Sequence, residues 1–108
     1  MDKVALTLSE NEVKYPNKNY YFSPSENYPE YSGTVIAKEE NNVYAMVRKC
    51  FYLMEYDKEH FGTPQWNPLG KYIKPGQTIL LKPNWVEHVN KNKKYRDNME
   101  CLVTHPSV

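Results

Sequence analysis

The sequence predicts an α/β fold: an incomplete βαβ-type parallel sheet behind an irregular Tyr/Pro-rich N-terminal arm. Two short runs have strand character, Gly33-Thr34-Val35-Ile36-Ala37-Lys38 and Thr78-Ile79-Leu80-Leu81-Lys82. Between them Val43, Met46, Val47, Cys50, Phe51 and Met54 recur at helical spacing and mark one apolar face. Strand, helix and strand in that order imply adjacent parallel strands joined by a right-handed crossover.

In chain order, Lys3 to Leu8 is a candidate short strand, because Val4, Leu6 and Leu8 alternate in period two. Residues 1–32 form the first division, this strand and the arm. Pro16, Pro24 and Pro29 break regular structure in the arm. Its rings Tyr20, Tyr21, Phe22, Tyr28 and Tyr31 are too many for a loose linker. Residues 33–108 form the second division, the N-terminal part of a truncated α/β domain. There Asn41 or Asn42 caps a helix running from about Asn42 to Lys58, and Gly62 and Pro64 suit its exit. Asn67-Pro68 opens a short helical turn. Lys74-Pro75-Gly76-Gln77 has the composition of a type II turn, with Gly76 at the positive-φ position. Pro83 ends the last strand.

Composition narrows the function classes. The chain has 108 residues and is 40% hydrophobic, with ten tyrosines supplying much of that share. A net charge of +1 argues against a dedicated nucleic-acid or membrane-surface protein. The basic run Lys91, Lys93, Lys94 and Arg96 is balanced by Glu87, Asp97 and Glu100 and reads as a solvated loop. Two cysteines, Cys50 and Cys101, build no disulfide framework, and no signal peptide or apolar span is visible. A soluble cytoplasmic setting follows as the expectation.

In open α/β sheets ligands gather at the carboxyl ends of the strands. Lys82 and Asn84 sit at such an end. The lysine supplies a compact charge and the amide a donor and an acceptor, suited to a phosphate or carboxylate. Thr104-His105-Pro106 reads as a helix start, whose free amides attract anions. Lys82, Asn84, Thr104 and His105 are therefore the expected contacts for a small anionic ligand. No catalytic residue and no cofactor is assigned. His60, His88, Cys101 and His105 lack zinc spacing, so no metal site is expected, and His60 suits the dipole at a helix end. The alternative is an interaction module whose surface is the Tyr20-to-Tyr31 arm.

Several segments carry a resemblance. They are Phe22-Ser23-Pro24-Ser25-Glu26-Asn27-Tyr28-Pro29-Glu30-Tyr31, then Phe61-Gly62-Thr63-Pro64-Gln65-Trp66-Asn67-Pro68-Leu69-Gly70. Ile73-Lys74-Pro75-Gly76, Leu80-Leu81-Lys82-Pro83-Asn84 and Cys101-Leu102-Val103-Thr104-His105-Pro106-Ser107-Val108 follow. In this order they resemble a bacterial subset of the domain of unknown function 362 family. The resemblance implies a longer soluble α/β protein, of which this chain is the front part. Its partner would then be the missing C-terminal part of its own chain, beginning with a helix behind Thr104. Some such proteins carry iron–sulfur modules, but this chain has no Cys-x-x-Cys, so that cofactor is not carried over.

Overall fold

One α-helix, α1 (Asn42–Leu53), organises the structure, a computed structural model that describes residues 2–9, 15–87, 89–92, 94 and 102–108. Asn41 caps it: its side-chain oxygen accepts from the Tyr44 amide at 3.4 Å. The same side chain donates through Nδ2 to Ser23 O at 2.7 Å, tying the arm to the helix start. Both ends of a buried amide are thereby satisfied.

The helix stops earlier than expected. It ends at Leu53, with Met54 as C-cap, rather than near Lys58. The Tyr56 amide donates to Phe51 O at 3.1 Å, and the Glu55 amide to Tyr52 O at 2.9 Å. This pair of bonds is a Schellman motif, with Glu55 at the left-handed position, φ 60°. Phe51 and Tyr56 supply the accompanying apolar contact, ring centroids 6.1 Å apart. A short 3-10 turn, Lys58–His60, follows. Gly62, φ 78°, lies beyond that turn and not at the helix exit.

Among the described residues there is no sheet, which overturns the βαβ expectation. The β-pairing present there is one antiparallel bridge, Trp85 with Val103. Residues 33–38 run without a ladder, and the arm engages two of their backbone groups instead. The Ala37 amide donates to Pro24 O at 2.8 Å, and the Tyr31 hydroxyl donates to Val35 O at 3.0 Å. Residues 78–82 likewise form no strand, and Leu80 and Leu81 are 93% and 84% exposed, not buried. β-propensity describes how a side chain suits a pleated surface, and without a partner strand it produces only extended chain.

Residues 3–8 are also no strand, although their alternation is real. Thr7 faces α1: its hydroxyl donates to Met46 O at 3.4 Å and lies 3.3 Å from Cys50 Sγ. Val4, Leu6 and Leu8 are the exposed members. The apolar face of α1 thus meets this segment and neighbouring turns, with Val43 buried and Met46, Val47, Cys50, Phe51 and Met54 half-buried.

The chain divides into two units, Met1–Gln77 with Ser107, and Thr78–Pro106 with Val108. The first is knotted around Arg48. Its guanidinium lies 4.1 Å from the Phe61 ring centroid, 4.6 Å from Tyr28 and 5.4 Å from Trp66. It also pairs with Glu30 of the arm. Tyr28 stacks on Tyr44 at 5.2 Å, and Trp66 meets Phe61 edge-on at 5.1 Å. Burial raises the phenol pKa of both Tyr28 and Tyr44, and Glu26 and Glu30 add to it respectively. The type II turn at Lys74–Gln77 is present: the Gln77 amide donates to Lys74 O at 3.2 Å, with Gly76 at φ 84°. In the second unit the Val86 amide donates to Leu102 O at 3.2 Å beside the single bridge.

Candidate functional site

Beyond the Schellman turn the chain folds around an open cavity of about 680 Å³. Its lining comes from the segment after α1 and from the turn at 67–72. Asp57 joins these two walls. It takes left-handed backbone angles, φ 49° and ψ 43°, and heads the 3-10 turn. Its Oδ2 accepts the Asn67 amide at 2.7 Å, and its Oδ1 meets His60 Nδ1 at 2.6 Å.

The electrostatics follow from those bonds. The Asn67 amide and then His60 stabilise the Asp57 carboxylate and hold its pKa below 3.8. Asp57 in turn raises the His60 pKa above 6.5, first through the hydrogen bond and then through its charge. A carboxylate only accepts, so Nδ1 carries the proton and Nε2 is the nitrogen that Asp57 leaves unengaged.

Tyr56 and Tyr72 form the aromatic side of the cavity, ring centroids 5.5 Å apart at 56°. A hydrogen bond with Tyr72 raises the Tyr56 phenol above its ordinary 10.0. Trp66 fixes this wall from behind, its Nε1 donating to Tyr56 O at 3.1 Å. Glu55 is committed to ion pairs with Lys3 and Lys58. Lys71 also lines the cavity, with its Nζ 5.9 Å from the Tyr72 ring centroid. Among the described residues no carboxylate forms an ion pair with it.

The four residues expected to hold an anion lie elsewhere, in the second unit. Lys82 is exposed. Asn84 and Thr104 are brought side by side: the Asn84 amide donates to Thr104 Oγ1 at 2.9 Å, and the Thr104 amide donates to Asn84 O at 2.9 Å. Thr104 opens no helix. His105 begins a turn in which its carbonyl accepts the Val108 amide at 3.0 Å. The amides expected to greet an anion there are partly engaged. His88 and Cys101 lie outside the described residues. His60 serves Asp57 rather than a helix dipole. No group of three His, Cys, Asp or Glu suited to a metal occurs among the described residues.

The arm is engaged too. Tyr28 and Tyr31 both contact Tyr44, Tyr31 edge-on at 6.0 Å, while Phe22 is 76% exposed. Sequence reasoning passed over Asp57, Tyr56, Lys71 and Tyr72. The Asp57-x-x-His60 spacing was the visible signal, since residues three apart meet across one tight turn.

No family model, curated protein or solved structure matches the chain. No helix among the described residues is long and apolar enough to cross a membrane.

Proposed function

We propose that the protein binds a small anionic ligand in the cavity of its first unit. The observation that carries this is Lys71, a cation on the cavity wall that forms no ion pair with a carboxylate among the described residues, beside the Tyr56–Tyr72 ring pair. The lysine takes the anionic group as a point charge. The rings offer an apolar face to a planar body, and small-ligand sites combine such faces with a few polar anchors.

Titration with 4-hydroxybenzoate, followed by calorimetry, tests the reading. Lys71→Ala should weaken binding roughly tenfold or more, matching the ~1.5–3 kcal/mol of a charged hydrogen bond. The neutral analogue 4-hydroxybenzyl alcohol should bind no better to wild type than to the variant. Equal affinity of wild type and Lys71→Ala for 4-hydroxybenzoate would remove the site.

A second reading places the anion at Lys82, Asn84, Thr104 and His105. It is favoured by the pairing that sets Asn84 beside Thr104. Lys82→Ala would then abolish binding that Lys71→Ala leaves intact. Kinship with the domain of unknown function 362 proteins is proposed as sequence kinship only, on the ordered segments quoted above. An experimental structure of a member whose segments matching residues 22–31 and 61–70 do not meet around one arginine, as Tyr28, Phe61 and Trp66 meet around Arg48 here, would remove it.

A further inference from the structure

The Asp57–His60 pair has the build of an oriented base. Asp57 is itself fixed by the Asn67 amide at 2.7 Å, so the carboxylate cannot swing away from the imidazole. Its 2.6 Å bond to Nδ1 sets the ring tautomer and leaves the Nε2 lone pair unengaged by Asp57. His60 is 54% exposed by side chain and lines the cavity, whereas Asp57 is 25% exposed behind it. An accessible base backed by a less accessible carboxylate, itself held by a third group, is the arrangement that nucleophile-activating sites use.

Backbone geometry supplies an independent observation. Glu55 and Asp57 are the non-glycine residues with positive φ among the described residues, and both line the cavity. Such conformations cost on the order of 1–3 kcal/mol each and gather at functional sites. The Schellman turn accounts for Glu55, but not for a second left-handed residue two positions on. That second one is what aims the Asp57 carboxylate at both His60 and the opposite wall.

We propose that His60, oriented by Asp57, is a general base that hydrolyses a carboxylic ester bound in this cavity. The substrate class is an ester with an anionic group for Lys71, so the inference rests on the binding reading above. His60 Nε2 takes a proton from water as the water oxygen bonds to the acyl carbon. The tetrahedral intermediate then collapses, the acyl carbon–oxygen bond breaks, and the departing oxygen receives the proton from Nε2. Ester and water become acid and alcohol, and His60 ends as it began. Asp57 balances the imidazolium charge between the two proton transfers and positions the ring without touching the substrate. The other ionisable groups around His60 are Lys58 and Glu59 on its own turn and Glu55, Lys71, Tyr56 and Tyr72 on the cavity wall.

The probe is 4-acetoxybenzoate, whose ring-bound carboxylate is too far from the ester to assist its own hydrolysis. Release of 4-hydroxybenzoate is followed by absorbance between pH 5 and 8. The protein-dependent rate should rise to a plateau with one ionisation and slow in heavy water. His60→Gln should lower it by about 10²-fold, the usual scale of general-base catalysis. Asp57→Asn should lower the rate and move the midpoint to lower pH. A rate that is flat across that range, or unchanged in His60→Gln, overturns the inference. A rate insensitive to heavy water also overturns it, in favour of direct attack by the imidazole. Should His60→Gln fail to fold, the wild-type pH profile and isotope effect decide alone. Lys71-dependent binding of 4-hydroxybenzoate without hydrolysis sinks this inference and leaves the binding reading standing. His60-dependent hydrolysis of neutral phenyl acetate without Lys71-dependent binding keeps His60 as the base but overturns both the anionic substrate class and the binding reading.

Discussion

Asp57 shows how a single residue links backbone conformation to charge. Its carboxylate draws stability from two donors, and each bond makes a pH dependence. The Asp57 pKa is depressed, so its contribution is present above the ordinary 3.8 and lost as pH falls through the lower folded value. The His60 pKa is raised, so its contribution is full below the ordinary 6.5 and lost as pH rises through the higher folded value. The pair therefore stabilises the turn most between 3.8 and 6.5. The difference in melting temperature between wild type and Asp57→Asn should be largest inside that window. A difference that does not vary with pH would show that the bond carries no linked proton. The Asp57-x-x-His60 spacing was legible in the sequence. The left-handed turn that makes it matter was not, because no glycine announces it.

Among the elements, α1 was the best predicted, and its cap Asn41 and apolar face follow from residue type and period. Its end differs from the expectation for a physical reason. Helix exits favour glycine at the left-handed position because a Cβ is strained there. Here Glu55 occupies that position, held by its ion pairs with Lys3 and Lys58 and by the Phe51–Tyr56 contact. Glu55→Gly should accordingly raise stability by about 1 kcal/mol, the strain of a left-handed non-glycine residue. The two exposed ion pairs, at about 0–1 kcal/mol each, offset only part of that gain if they lie at the low end of that range. A denaturant midpoint that falls in Glu55→Gly would show that those pairs, and not the backbone, govern this end.

For the molecule as a whole, Arg48 matters more than any sheet. It joins the arm, α1 and the loop carrying Phe61 and Trp66 within the first unit. Its side chain is 16% exposed and that of Glu30 only 7%. Arg48→Ala would leave the Glu30 carboxylate buried without its partner and would empty the space between three rings. The expected loss is about 3–5 kcal/mol, a large part of the ~5–15 kcal/mol that a whole domain possesses. Thermal unfolding followed by near-ultraviolet circular dichroism measures it, and a loss under about 1 kcal/mol would return the ion pair to the class of surface pairs. The same knot positions Trp66 behind Tyr56, so the cavity wall should loosen in step.

The sequence by itself determined the features whose cause lies within a few residues. These are the cap at Asn41, the helical face and the turn at Lys74–Gln77. Each depends on backbone angles or hydrogen bonds between near neighbours. Only the tertiary structure decided whether Val35, Leu80 and Leu6 would pair into a sheet, and among the described residues they do not. A strand needs a distant partner for its amides and carbonyls, and here the arm takes the Ala37 amide and the Val35 carbonyl. The candidate site was hidden for the same reason. Asp57 meets Asn67, and Tyr56 meets Tyr72, only once the chain has folded back across the turn, and residue type at one position carries no record of that return.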